Sequence, residues 1–312
     1  MGEYTIGAVE IFNAVPAGTA MNLTSLDFPT GAEVSGDGAG ELYSMQQSLT
    51  GFSPVANFTT KNIAALLGFI GLNGQCVGSG KAVTQVDLYE RKLETCKDPL
   101  TATPHLRRRV TTGLLRLGSL SASRGQDATL SAVLDTFTDG TNAPVAVTDG
   151  VALPASIVST RFTLGVCKIA GVQFTEIDSV ELSFNVSITD KSPALGAIWP
   201  DSAGVLTVRP VLTLRGRDLS KVETAAIALG ANAATHANTV IQLIQRENAA
   251  SFYNFAGSSH ITLTLDGMAV PSNLASSSAG SRSTNEVILA ARDDGANAPV
   301  VITTGTTYTV SP

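Results

Sequence analysis

Charge is what this chain has least of. Asp, Glu, Lys and Arg make up 15% of its 312 residues, against about 25% in ordinary soluble proteins. Ser, Thr, Gly, Ala and Asn take their place. Such a chain either covers its surface with small neutral groups or loses that surface to partners, because large permanent interfaces are depleted in charge at their centres. The net charge is −6, which argues against a protein whose task is to grip nucleic acid, since neutralising phosphates needs clustered Lys and Arg. It does not exclude one that surrounds DNA without holding it, since like charges repel. Aromatic residues are only 5%, with Trp199 the sole tryptophan. That argues against a carbohydrate platform, and Trp199 beside Pro200 reads as a packing anchor. No stretch predicts a membrane span: the uncharged run from Asn62 to Gly80 is interrupted by glycines and amides. The opening Met1-Gly2-Glu3-Tyr4 has no positive or apolar leader, so no signal peptide and cytoplasmic synthesis are expected. Ile6 stands where a lipidation signal needs Ser or Thr.

Residues that carry chemistry are equally scarce. The cysteines are Cys76, Cys96 and Cys167. They form no CxxC pair and no zinc pattern; Cys76 and Cys96 could pair, and free buried thiols are the favoured reading. The histidines are His105, His236 and His260, without an HExxH arrangement, and no GxSxG occurs. Gly74 to Ala82 has the look of a phosphate loop but the wrong glycine spacing before Gly80-Lys81. Ala82 replaces the hydroxyl residue that would hold magnesium. Gly36 to Gly40 reads as a turn. Carboxylate pairs such as Asp293-Asp294 and Glu176-Asp178 have no base beside them, so a solvated role is expected. Arg107-Arg108-Arg109 is the densest basic cluster. In a strand, Arg107 and Arg109 share one face and Arg108 takes the other, and the expected partners are acids of a neighbouring subunit. No catalytic, cofactor-binding or metal residue emerges; the expectation is a protein that is not an enzyme.

What the sequence has instead is a repeat. Asp139-Gly140-Thr141-Asn142-Ala143-Pro144-Val145 returns as Asp294-Gly295-Ala296-Asn297-Ala298-Pro299-Val300, six of seven residues matching. The same offset separates His105 from His260. Pro54-Val55 and Pro210-Val211 lie one residue further apart, and Tyr4 to Ile11 and Phe162 to Ile169 three further. The order is preserved. This predicts two fused units, residues 1–155 and 156–312, each of ordinary domain size, joined near Val151 to Ser159 around Pro154. Two similar units in one chain can fill neighbouring places in a ring.

Within each unit the pattern predicts strands. Val180, Leu182, Phe184, Val186 and Ile188 alternate with polar residues and share one face. His260 to Leu265 alternates likewise, with Asp266-Gly267 as a turn signal. Val205 to Leu214 reads as a strand with Pro210 at an edge or bulge. Asp139-Gly140 and Asp294-Gly295 read as turns. A helix is expected over Lys61 to Ile70, capped by Thr59 or Thr60, with Ile63, Leu66, Leu67 and Ile70 on one stripe and Gly71 ending it. Its counterpart runs from Ser220 to Leu229, with Ser220 and Glu223 as a capping box and Gly230 at its end. A further helix is open over Thr235 to Arg246. Ser272 to Ser283, and Ser119 to Asp127 in the first unit, read as loops. The fold expected is mainly β with one or two helices per unit (α+β): two tandem β-sandwich or barrel units, each flanked by a helix.

This plan resembles the tail-tube (major tail) proteins of long-tailed bacteriophages. The residues that carry the resemblance are Phe162-Thr163-Leu164-Gly165-Val166, then Ile169-Ala170-Gly171-Val172, the alternating run Val180 to Ile188, Ile198-Trp199-Pro200, the strand reaching Pro210, and the helix Ser220 to Leu229. Pro54 to Thr60 and the helix after it repeat part of the plan. The resemblance implies units that close in sixes into a ring, with rings stacked into a tube that conducts DNA, and no catalytic residues or cofactors. With two units per chain, three chains fill six positions, so a trimeric pseudo-hexameric ring is expected. Ser272 to Ser283 and Gly71 to Gly80 would reach the next ring. The expected partners are further copies of the chain and other tail proteins. DNA would pass through the lumen without specific binding, no membrane would be involved, and the place would be the virion tail, assembled in the host cytoplasm. Alternatives are another tail, neck or baseplate ring component, or a duplicated β-sandwich ligand-binding module.

Overall fold

A computed structural model describes residues 3–13, 18–37, 46–93, 105–154, 156–169, 171–174, 176–193, 198–217, 235–246, 257–276, 284–293, 295 and 298–308. They are overwhelmingly β. The first half contains β1 (Glu3–Asn13), β2 (Gly18–Asp27), β3 (Ala32–Asp37), β4 (Gln46–Phe52), β5 (Val55–Thr60), α1 (Ile63–Leu67), β6 (Gln75–Val77), β7 (Val83–Leu93), β8 (His105–Val110), β9 (Gly113–Ser123), β10 (Thr129–Thr136) and β11 (Ala146–Val151). The second contains β12 (Ile157–Val158), β13 (Arg161–Ile169), β14 (Val172–Phe174), β15 (Ile177–Ser183), β16 (Val186–Ile188), β17 (Ser192–Pro193), β18 (Pro200–Ser202), β19 (Val205–Val208), β20 (Val211–Gly216), β21 (Thr235–Arg246), β22 (His260–Ser276), β23 (Thr284–Ala291) and β24 (Val300–Thr306).

Seven strands of the first half close a barrel, in the order β1, β2, β5, β10, β9, β6, β7 and back to β1. Its walls follow from period-two burial. Ala56 and Phe58 of β5 point inward opposite Leu134 and Ala132 of β10. The intervening Val55, Asn57 and Thr59 are half-buried. Outer strands β8 and β11 extend the sheet from β7.

The second half pairs its strands in the same order. Where β1 pairs with β7, β7 with β8, and β8 with β11, here β13 pairs with β21, β21 with β22, and β22 with β24. Where β9 pairs with β10, β10 with β5, and β5 with β2, here β22 pairs with β23, β23 with β20, and β20 with β15. The long β22 takes the places of both β8 and β9, and β14 pairs with β13 as β2 does with β1.

Several elements differ from the sequence expectation. The helix is one and a half turns, from Ile63 to Leu67 with Gly68 as its C-cap, and not Lys61 to Ile70 ending at Gly71. Its stripe survives in burial: Ile63, Leu66 and Ile70 are all buried. Neither Thr59 nor Thr60 caps it; Asn62 holds that position without a side-chain cap bond. The Thr60 hydroxyl accepts the Asn62 amide at 3.1 Å and donates to the Asn22 carbonyl at 2.7 Å. The helix expected over Ser220 to Leu229 lies outside the described residues. Thr235 to Arg246 is a strand, β21, paired on both edges by β13 and β22. Its Thr239-Val240-Ile241 run is β-branched, which favours the pleated conformation.

Asp266-Gly267 is no turn: β22 runs straight through it. Glycine is needed there because a Cβ on Gly267 would strike the Ala290 carbonyl of the neighbouring strand. Ser119 to Ser123 and Ser272 to Ser276 belong to β9 and β22, not to loops. Gln75 to Val77, within the glycine-rich Gly71 to Gly80 expected to reach the next ring, forms β6 and closes the barrel between β7 and β9. Asp139-Gly140 is a turn as expected. Gly140 has φ 89°, and Asp139 accepts the amides of Thr141 and Asn142. Gly295 also takes a positive φ. The alternating run from Val180 keeps its face, with Val180, Leu182, Phe184 and Val186 buried. The strand itself breaks at Asn185, whose φ of 47° lies in the left-handed region that Asn tolerates. The expected strand Val205 to Leu214 is likewise interrupted at Arg209-Pro210, because proline cannot donate to a ladder.

Candidate assembly interface

The two halves are spliced edge to edge. Strand β15 adds to the free edge of β9, Ser179 to Ser183 running antiparallel to Ser123 to Ser119. One continuous 18-stranded sheet results. Beyond β15, an arm of the second half (residues 184–193 and 198–210, carrying the β16–β19 ribbon) lies across the outside of the first barrel. The Phe184 amide donates to the Gly118 carbonyl at 3.0 Å, and the Thr138 amide to the Pro200 carbonyl at 2.9 Å.

Charged groups lock this arm. Asp135 of β10 points outward from the barrel yet is only 1% exposed, because the arm covers it. Its carboxylate meets Arg116 Nε at 2.8 Å and Lys191 Nζ of the arm at 3.0 Å. Lys191 also donates to Ser53 Oγ at 3.0 Å, and Arg116 to the Val186 carbonyl at 3.1 Å. At the other end of the joint, Asp127 accepts Lys61 Nζ at 2.8 Å and Arg246 Nη1 at 2.6 Å, with Arg161 at 4.0 Å. The Ala128 amide donates to the Phe162 carbonyl at 2.7 Å, and Asn62 Oδ1 accepts the Thr160 amide at 2.7 Å. A cleft beside it, lined by Asn22, Lys61, Asn62 and Arg161, has Lys61 already committed to Asp127.

Burial pushes the Asp127 carboxyl up, but Lys61 and Arg246 outweigh it and hold it below the usual range. A depressed folded-state pKa stabilises the fold above the unfolded value near ~4 and loses that contribution as pH falls through the folded value. Asp127→Asn should therefore flatten the acid limb of stability. Urea midpoints compared between about pH 6 and pH 2 test this; parallel wild-type and variant curves would contradict the hub.

The arginine cluster sits where expected in β8 but pairs within its own chain. Arg109 grips Asp87 through two bonds, at 3.0 and 2.8 Å, with Arg107 at 4.0 Å on the same face. Arg108, on the opposite face, pairs with Glu90 and stacks its guanidinium 5.8 Å over the Phe28 ring. The expectation of a neighbouring subunit's acids is corrected for all three. His105 and His260 open β8 and β22, and both are buried. His260 Nδ1 accepts the Gln245 amide at 3.1 Å, and burial lowers its pKa; it ties β22 to β21. His236 lies in β21. Among the described residues no three His, Cys, Asp or Glu side chains converge, and no helix is long and apolar enough to cross a membrane.

Cys76 is exposed in β6, against the expectation of burial, and Cys167 is buried, its thiol pushed up to about 12 by desolvation. Cys96 lies outside the described residues. Lys81 follows a turn closed by its amide on the Gly78 carbonyl, and strand β7 comes next, not a helix. Asp178 pairs with Arg217 at 2.9 Å, and Asp293 accepts the Gly295 amide at 2.8 Å.

The joint residues Asp127, Asp135, Lys191 and Asn62 were missed in the sequence. Asp135 occupies an outward strand position, where an acid is unremarkable until another segment covers it. No protein-family model matches the chain, and no curated protein matches it.

Proposed function

We propose that the chain is a non-enzymatic structural subunit of a phage virion. It is built from two tandem copies of one β-barrel unit and assembles as trimeric, pseudo-hexameric rings that stack into a tail tube. One observation carries this reading: the halves pair their strands in the same order, and one is spliced to the other by the β9–β15 ladder. A joint that adds one unit's strand to the next unit's edge is heterologous, and such a joint makes a ring when its rotation closes. Closure also removes exposed strand edges. Low charge and the net −6 fit a channel that DNA traverses without being held. On this reading the partners are copies of the chain and other tail proteins, the place is the virion tail after assembly in the host cytoplasm, and no membrane takes part.

Negative-stain microscopy and sedimentation of the purified chain over a range of concentrations test the reading. The expected particles are rings of three chains with a central channel and six lobes. Bilobed single chains at every concentration would overturn it.

A further inference from the structure

The charges around Asp127 do not balance. Three cations surround one carboxylate: Lys61, Arg161 and Arg246. Both carboxylate oxygens are taken by the nearer two, Oδ2 by Lys61 at 2.8 Å and Oδ1 by Arg246 at 2.6 Å. Arg161 stands 4.0 Å from Oδ2, beyond hydrogen-bond reach. It also lies directly opposite Arg246 in the β13–β21 ladder, and like charges so placed repel. Its side chain is 51% exposed, and among the described residues no other acid pairs with it.

Arg161 opens onto the cleft beside Asp127, which has a volume of about 310 Å³. Both halves supply its walls: Thr24, Lys61 and Asn62 from the first, Ser159, Thr160 and Arg161 from the second. No acid lines it, and Leu23 is the sole apolar side chain among the lining residues. Asn62 is 2% exposed and is held in place by the Thr160 amide on its Oδ1 at 2.7 Å. Its Nδ2 reaches Thr60 Oγ1 at 3.4 Å, and an amide nitrogen carries two hydrogens to donate. Pockets for apolar ligands are lined mostly by apolar side chains; this one is lined by donors and positive charge.

We infer that the cleft binds a free phosphate-type oxyanion, held by Arg161 and Lys61, which bridges the two halves. Three cations less one carboxylate leave two positive charges, and a phosphate dianion balances them. A guanidinium presents its N–H groups as a fork that fits two oxygens of such an anion, and Ser159 and Thr160 add hydroxyls. The cleft has room for the ion with part of its water. Folding is what brings Ser159 to Arg161 against Lys61 and Asn62, so the anion binds the folded chain and stabilises the joint by mass action. The site lies within one chain and is independent of the ring reading: rings without phosphate binding, or phosphate binding without rings, each count against one alone.

The test is urea unfolding of the full chain near neutral pH, with inorganic phosphate titrated against sodium chloride at constant ionic strength. A saturable rise in the midpoint is expected, and calorimetric titration should show one phosphate per chain. Arg161→Gln should weaken phosphate binding at least about tenfold while its midpoint in chloride stays close to that of the wild type. Arg217→Gln is the control: that arginine is similarly exposed but pairs with Asp178, and its loss should leave phosphate binding unchanged. A phosphate effect no larger than that of chloride, or one undiminished by Arg161→Gln, would overturn the site. Bound phosphate should also persist when a short duplex DNA is added; its release would assign the cleft to a nucleic-acid backbone and overturn a free ion as the occupant.

Discussion

Asp135→Ala should lower the free energy of unfolding by about 3–5 kcal/mol, the usual cost of removing one partner from a buried ion pair. The carboxylate is held by Arg116 and Lys191 at 2.8 and 3.0 Å, and its side chain is 2% exposed. Without it, two cations remain one-fifth exposed, facing each other across an uncharged seat. Their repulsion falls on the arm, because Lys191 is its anchor. Urea unfolding should show a lower midpoint, and amide exchange should rise first at Phe184, whose N–H bonds to Gly118. The cost should not equal the net worth of the cluster. Replacing Asp135, Arg116 and Lys191 together by apolar residues of similar volume should recover most of the loss, since desolvating three charges offsets much of their attraction. A loss below about 1 kcal/mol for the single variant would place the cluster with ordinary surface pairs.

Asp87→Ala should be comparably severe, for a different reason. Asp87 is fully buried and accepts the two-bond grip of Arg109 and Gln85 Nε2 at 2.9 Å, with the Arg107 charge 4.0 Å away. Among the described residues its partners all belong to the first half, so the damage should stay where β7 meets β8. A cost of about 3–5 kcal/mol is expected. Arg108→Ala is the matched control: its pair with Glu90 is 24% and 20% exposed, and it should cost about 1 kcal/mol or less. Denaturation of the two variants side by side distinguishes them. Equal costs would mean that burial of Asp87 does not govern the pair. The expected asymmetry also divides the arginine cluster, whose three members look alike in sequence.

Much of the candidate interface was invisible beforehand for a common reason. Asp135 looks like an ordinary polar-face acid. Only the placement of the second-half arm covers it. The turn at Asp139-Gly140, by contrast, was legible early: Gly140 takes a positive φ, as does Gly295, a demand that local chemistry alone imposes.

The sequence by itself determined what depends on near neighbours. The polar–apolar alternation from Val180 set which side chains are buried, and the Asp139-Gly140 turn set where a strand ends. Tertiary structure decided whatever depends on a partner distant in the chain. Thr235 to Arg246 is a strand because β13 and β22 flank it. Gly267 continues a strand because the Ala290 backbone passes too close for a side chain. Gln75 to Val77 closes the barrel because β7 and β9 stand on either side. A helix bonds to itself within four residues, whereas a strand's bonds lie with segments that sequence spacing does not identify.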